Sequence, residues 1–169
     1  MKTTLRVASI LTWINLLFWG FMVFFMLLGG AVGGPAILLM GVLFSSIPLS
    51  CYAGLQLHKS IRRPTHKLSS QTPVGIRFVG FVAIFLGIQV ISSGISFLFS
   101  DRDALQAFKQ IMSEQVSKSN GAVKFEPTYP MIHAMGGSFL FLGICVIVNA
   151  ILNMRLLRWY YLVKQSDVS

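Results

Sequence analysis

The sequence predicts an all-helical integral membrane protein whose four transmembrane helices form one bundle of two antiparallel hairpins. Three observations lead to this fold class. Of the 169 residues, 54% are hydrophobic and 11% are charged, whereas charged residues make up about 25% of an ordinary soluble domain. The apolar residues are concentrated in four long runs, and basic residues flank those runs. In water such a chain would expose too much apolar surface, so its composition suits a lipid environment.

Each of the four runs is long enough to cross a bilayer as a helix, which takes about 20 apolar residues. They extend from about 7 to 28, 36 to 57, 75 to 99 and 131 to 154, within a single domain covering 1–169. Pro48 lies in the second run, where it removes a backbone donor and permits a kink. The stretch 58–72 then joins the second run to the third. Because His58 falls in this connection, His133 is the only histidine expected close to a span.

The distribution of charge predicts the orientation of the bundle. Ten of the fourteen Lys and Arg residues precede the first run, lie between the second run and the first turn of the third, or follow the fourth, and only one acid, Asp167, accompanies them. On the other side, four basic residues face four acidic ones. Connections rich in Lys and Arg remain in the cytoplasm. Both termini are therefore expected on the cytoplasmic side.

The longest connection, 100–130, is expected on the external side. Ser100 is placed to cap a helix, and Leu105, Phe108, Met112 and Val116 then follow at helical spacing. This pattern predicts a short amphipathic helix that lies on the outer membrane surface or across the mouth of the bundle. It is the best candidate in the sequence for contact with an external partner.

Small residues recur every seven positions in the third and fourth runs. Seven residues are close to two helical turns, so each set lies on one helix face. Membrane helices associate closely through such small residues. The residues predicted to pack the two helices are Gly80, Ala83, Gly87, Gly94, Gly136, Gly143 and Ala150. The antiparallel arrangement predicts the pairs Gly80 with Ala150, Gly87 with Gly143, and Gly94 with Gly136.

A few polar residues lie inside the runs and should turn inward, because lipid offers no hydrogen-bond partner. The predicted intramembrane polar cluster consists of Asn15, Ser50, Gln89 and Asn149. One interpretation is a set of interhelical hydrogen bonds, each worth about 0.6 kcal/mol. The other interpretation is a site for a small molecule or an ion.

Basic side chains at the cytoplasmic ends of the runs are expected to contact anionic lipid headgroups of the inner leaflet, at roughly 1 kcal/mol each. These residues are Lys59, Arg62, Arg63, Lys67, Arg155 and Arg158. The net charge of +9 does not by itself indicate a nucleic-acid partner. The basic residues flank apolar runs instead of forming a separate basic surface, which favours a role in membrane orientation.

The sequence argues against most enzyme classes. It contains no HExxH, Walker loop, GxSxG or CxxC motif, and no Asp, Glu or Lys in the middle of a run. Cys51 and Cys145 both lie in apolar surroundings without metal-ligand spacing. No catalytic, cofactor or metal site is predicted. We expect a non-catalytic accessory, assembly or regulatory subunit that associates with another membrane protein or with itself. The alternative is a small oligomeric channel or transporter.

Overall fold

The computed structural model describes residues 2–63, 68–99, 106, 110 and 128–166. Over this part of the chain the structure is helical and has no strand. The elements are α1 (Lys2–Gly33), α2 (Pro35–Phe44), α3 (Ser46–Arg62), the single turn α4 (Thr72–Val74), a π-helical turn (Gly75–Val79), α5 (Gly80–Leu98) and α6 (Tyr129–Ser166). The amphipathic helix predicted within 100–130 falls almost entirely outside the described residues. Within 100–127 the structure describes Gln106 and Gln110 alone, and both are helical.

Within the described residues, four stretches are long and apolar enough to cross a membrane. They are Thr3–Gly30, Pro35–Arg62, Thr72–Leu98 and Tyr129–Val163. A stretch of 28 residues, such as the first, measures about 42 Å along its axis, more than the roughly 30 Å hydrocarbon core of a bilayer.

The helices extend beyond the apolar runs from which they were predicted. At the ends of the runs that carry basic residues, Lys and Arg continue the helix because both have high helix propensity. Thus α3 continues through His58 to Arg62, and α6 continues through Arg155 and Arg158 to Ser166. The placement of His58 in a connecting loop was therefore wrong, since this residue lies in α3 and is buried.

A turn and a break divide the stretch from α1 to α3. Gly34 joins α1 to α2 with a φ of 108°, a backbone conformation that favours glycine, and Pro35 then opens α2. Ser45 separates α2 from α3, while Pro48, one turn later, has no N–H to give to the carbonyl of Phe44. The break is local, because the Ser45 amide still bonds to Gly41 and the Leu49 amide to Ser45, at 3.0 and 3.1 Å.

The chain divides into two compact units. The first comprises Met1–Ile88 together with Gly143–Ser169, and the second comprises Gln89–Leu142. The apolar core of the first unit contains Ala8, Ala53, Leu57, Ile76, Leu156 and Leu157. In the second unit, the Phe97 and Phe139 rings lie 5.9 Å apart, and the backbones of Gly94 and Gly136 approach each other closely.

Large apolar side chains are also exposed along the long helices. Leu17 in α1 is 67% exposed, Phe78 in the π-helical turn 71% and Phe81 in α5 69%. In water, an apolar surface of this extent would be a site of association or aggregation.

Candidate functional site

The first unit contains a buried set of polar side chains, which we call the polar core: Thr12, Asn15, Cys51, His58, Asn149 and Asn153. This arrangement depends on one face of α6. Residues four apart lie on the same helix face, and this face presents Cys145, Asn149 and Asn153. That face meets α1 and α3 through hydrogen bonds. Every residue of the polar core is less than a tenth exposed.

Asn149 joins α6 to both of the other helices. Its Oδ1 accepts from the Thr12 hydroxyl at 2.7 Å and from Nδ2 of Asn153 at 3.4 Å. Its Nδ2 donates to Sγ of Cys51 at 3.4 Å. The Thr12 hydroxyl also lies 2.7 Å from the carbonyl of Ala8, so its one hydrogen is shared between two acceptors.

Asn15 adds a second link between α1 and α6. Its Nδ2 donates to the carbonyl of Cys145 at 3.2 Å and to the carbonyl of Leu11, one turn back in its own helix, at 3.0 Å. Both amide hydrogens are therefore used. The Oδ1 of Asn15 is buried and has no hydrogen-bond partner among the described residues.

His58 ends the polar core on α3. Its Nε2 lies 2.8 Å from Oδ1 of Asn153, and since an amide oxygen can only accept, Nε2 carries the hydrogen and donates. Asn153 can lie against α3 because position 54 is glycine. A Cβ at Gly54 would be 2.6 Å from Nδ2 of Asn153 and 2.9 Å from its Cγ.

Gly54, His58 and Asn153 were not predicted to belong to the cluster, and no buried histidine was expected in a span. The signals were present. Asn153 lies four residues after Asn149, and His58 four residues after Gly54, so each pair shares a helix face. Setting the second run to end at Leu57, where hydropathy falls, excluded His58 from it.

Two residues of the predicted cluster take no part in these interhelical hydrogen bonds. Ser50 is buried in α3, but its hydroxyl donates within the helix, to the carbonyl of Ile47 at 2.8 Å. Gln89 belongs to the second unit, and its side chain is exposed on α5. At 100° per residue, Gln89 lies about 200° around α5 from Gly87, so it is on the opposite side of the helix from this buried glycine.

Of the predicted small-residue pairs, the structure brings two together. In the first unit, a Cβ at Gly87 would lie 3.3 Å from the carbonyl oxygen of Gly143. In the second unit, a Cβ at Gly94 would lie 2.8 Å from the carbonyl oxygen of Gly136. Gly80 is not adjacent to Ala150. Within 4 Å and among the described residues, a Cβ at Gly80 would meet only the terminal methyl of Met154, at 3.2 Å. Ala83 and Ala150 are both buried.

The basic residues predicted to contact lipid lie at the surface where they are described. The exposed side chains are Lys59, Arg62, Arg63, Arg155 and Arg158. Lys67 lies outside the described residues. Exposure leaves these cations available to anionic groups, which is the property that contact with lipid headgroups requires.

The chemistry of the polar core is that of neutral hydrogen-bonding groups. It contains hydroxyl, amide, imidazole and thiol groups, and no carboxylate or ammonium. Cys51 and His58 are seven residues apart on α3, about 10 Å along the axis, so they do not form a thiol–imidazole pair. Among the described residues, no group of three or more His, Cys, Asp or Glu side chains could hold a metal ion. This arrangement can join helices, and it offers no activated nucleophile.

Comparisons with known proteins give no relative for this chain: no protein-family model, curated protein or solved structure matches it.

Proposed function

We propose that this protein is a multi-pass membrane protein that acts as a non-catalytic accessory, assembly or regulatory subunit of a membrane complex. The proposal has four parts, which are the membrane location, the orientation, the non-catalytic role, and association through one exposed face of α5. Each part rests on a different property of the described residues.

Soluble proteins place polar side chains outside and apolar side chains inside, and the reverse of this pattern supports the membrane location. Apolar side chains are exposed along the long helices, while the polar core is buried. In lipid, exposed Leu and Phe side chains cost nothing, and polar groups must be satisfied internally. The four stretches would then form two antiparallel transmembrane hairpins.

The orientation follows from the positive-inside rule. With both termini in the cytoplasm, the exposed cations Lys59, Arg62, Arg155 and Arg158 lie at the inner leaflet, where anionic headgroups are available. The connection that contains Lys67 lies on the same side. The external segment 100–130 is then the main part of the chain outside the cell.

A non-catalytic role is supported by the way the polar core is used. Its hydrogen bonds run between α1, α3 and α6, and its groups are neutral. A general base, a metal site or a proton-coupled transporter needs ionisable groups together within the protein. The polar core instead has the composition of a structural contact between membrane helices.

The single observation that carries the subunit role is the exposed side chain of Gln89. It lies near the middle of the stretch Thr72–Leu98 and makes no side-chain hydrogen bond within the described part of the chain. Moving an amide from water into pure hydrocarbon costs roughly 4–8 kcal/mol. A partner helix that bonds to Gln89 would offset part of this cost.

Three serines lie on the same face of α5 as Gln89. Ser92, Ser93 and Ser96 follow it at intervals of three, four and seven residues, and all three are exposed. We call this surface the Gln89 face. Ser93 and Ser96 each donate to a carbonyl four residues back at 3.0 Å, so they tolerate lipid and still allow another helix to approach closely. We therefore assign the partner as a transmembrane helix of another protein.

Photo-crosslinking from this face tests the proposal. A photoreactive amino acid at position 92 should give one discrete adduct with a second protein in native membranes, and Gln89→Leu should reduce its yield. The matched control is the same probe at Leu17, an exposed apolar position on α1, which should give no discrete protein adduct. Adducts with lipid alone at position 92 would contradict the proposal.

The same experiment distinguishes the alternative function. Asn15, Ser50 and Asn149 are buried within the first unit, so they could not line a channel formed between copies of the chain. Of the four residues of the predicted cluster, this leaves Gln89. A ladder of adducts of the chain with itself would favour that small oligomeric channel over a subunit of a different complex.

A further inference from the structure

The contacts of α1 with α2 and α3 fix which residues face each other. A Cβ at Gly41 would lie 3.0 Å from Cδ2 of Leu27, and the ring of Trp19 stacks on that of Phe44 with centroids 5.5 Å apart. Near the other end, Ala8 and Leu57 share one core. Residues later in α1 thus face residues earlier in α2 and α3. In this register Trp19 lies within about one helical turn of the level of Ser46, and Asn15 within about one turn of the level of Ser50.

Three buried polar atoms at this level have no hydrogen-bond partner among the described residues. They are Nε1 of Trp19, Oδ1 of Asn15 and Oγ of Ser46. Asn15 and Trp19 are 1% and 4% exposed, and because they are four residues apart they lie on one face of α1. The set contains one donor, one acceptor and one hydroxyl that can do both.

Two further acceptors lie at the same level of α2 and α3. Pro48 has no N–H, so the carbonyl of Phe44 lacks its helical partner. The hydroxyl of buried Ser50 uses its hydrogen on the carbonyl of Ile47 at 2.8 Å and keeps its lone pairs. Polar groups are therefore concentrated where α1 passes the break at Ser45.

We propose that Asn15, Trp19 and Ser46 form a buried site for water between α1 and the joint of α2 and α3. A water molecule there accepts from the indole N–H of Trp19 and donates to Oδ1 of Asn15, and the hydroxyl of Ser46 supplies a third bond. Buried waters in proteins typically make about three hydrogen bonds to groups that would otherwise be unsatisfied. A neutral ligand fits because the three groups carry no charge. The site is independent of the subunit role.

Magnetic resonance of the indole N–H tests the site directly. In the variant Trp13→Phe/Trp159→Phe, Trp19 is the one remaining tryptophan of the three, and ¹⁵N labelling gives a single indole signal. We expect cross-relaxation between this N–H proton and a long-lived water, and loss of most of that signal in Ser46→Ala. An indole proton without a water cross-peak in the folded protein would overturn the proposal.

Thermal unfolding gives a second readout through a double-variant cycle. Trp19→Phe removes the indole N–H and also reduces the volume of a buried side chain, which by itself lowers stability. If a water joins Trp19 to Ser46, Trp19→Phe should lower the melting temperature less in the Ser46→Ala background than in the parent, because the bridge is already lost there. Equal shifts in both backgrounds would contradict the proposal. Trp13→Phe, on the exposed side of α1, is the control and should shift the transition equally in both backgrounds.

Discussion

At the residue scale, the polar core depends most on Asn149. This one amide accepts from Thr12 on α1 and from Asn153 on its own helix, and it donates to Cys51 on α3. Hydrogen bonds between membrane helices contribute about 0.6 kcal/mol on average and about 1.7 kcal/mol at most. A residue that makes several of them fixes the rotation of three helices without introducing a charge.

Asn149→Leu should therefore lower the free energy of unfolding by about 2 kcal/mol, because its hydrogen bonds are lost while the volume is nearly kept. Denaturant titration in detergent micelles measures this change. Ser138→Ala is the control, since Ser138 is exposed and donates only to the carbonyl of Ala134 in its own helix. A loss in Asn149→Leu no larger than that in the control would show that the Asn149 bonds do not stabilise the fold.

A second residue-scale prediction concerns Gly54. Gly54→Ala places a methyl group 2.6 Å from Nδ2 of Asn153, so Asn153 must move and the bond to His58 weakens. We expect destabilisation by about 1–3 kcal/mol. Gly20→Ala is the matched control, because a Cβ there meets nothing within 4 Å, and it should stabilise by about 0.5–1 kcal/mol through helix propensity.

The double variant Gly54→Ala/Asn153→Ala completes the cycle for this contact. If the clash explains the effect, Gly54→Ala should lower the stability much less in a background that already lacks the Asn153 amide. An equal cost in both backgrounds would contradict the role assigned to Gly54. The wild-type protein and the three variants can be compared by thermal unfolding under one detergent condition.

Some residues of the polar core could be predicted from the sequence, and others could not. Asn15 and Asn149 could be assigned to the interior because an amide in an apolar run has no lipid partner. His58 could not, because the charged residues after it lowered the local hydropathy even though the helix continues to Arg62. Contact of Gly54 with Asn153 depends on the relative rotation of two helices, which no local pattern specifies.

At the element scale, the glycines of α5 differ in what they contact. In the second unit, Gly94 faces backbone atoms: a Cβ there would lie 2.8 Å from both the carbonyl oxygen of Gly136 and the amide nitrogen of Leu140. In the first unit, Gly80 faces only the flexible end of Met154. Backbone atoms cannot move aside without shifting a helix, whereas a methionine side chain can change rotamer.

We therefore expect Gly94→Ala to destabilise the protein by about 1–3 kcal/mol, and Gly80→Ala to change stability by less than about 1 kcal/mol in either direction. Unfolding of both variants in the same micelles measures the contrast. Equal effects would mean that the close approach of α5 and α6 at Gly94 does not govern their packing.

The periodicity of the sequence predicted which helices form better than it predicted where they begin and end. The seven-residue spacing of small residues identified the α5 face that meets α6, and Pro48 anticipated the break at Ser45. The π-helical turn Gly75–Val79 had no counterpart in the sequence analysis. A change from α to π hydrogen bonding depends on how the turn packs, and it leaves the apolar pattern intact.

At the scale of the whole molecule, the asymmetry of charge predicts how the chain lies in a membrane. Labelling of single cysteines tests it in a Cys51→Ala/Cys145→Ala background, which removes both native thiols. A membrane-impermeant thiol reagent should label Gln106→Cys in intact cells, and Lys59→Cys and Arg155→Cys only after permeabilisation. Labelling of Lys59→Cys from outside would reverse the proposed orientation.

Composition was sufficient to predict four helices able to span a membrane, because a helical apolar run of about 20 residues matches the thickness of the hydrocarbon core. It was insufficient to identify the outward face of each helix. Gln89 was predicted to lie inside with Asn15 and Asn149, and its exposure on α5 became apparent only from the structure. That exposed amide is the reason for treating the protein as part of a larger complex.

Native mass spectrometry after gentle extraction from the protein's own membrane tests this central claim most directly. We predict that the wild-type chain is released with a stoichiometric second polypeptide. In the Gln89→Leu variant the complex should weaken by about 3- to 20-fold, as expected for the loss of one interhelical hydrogen bond. A wild-type chain that is monomeric, or bound only to copies of itself, would contradict the account.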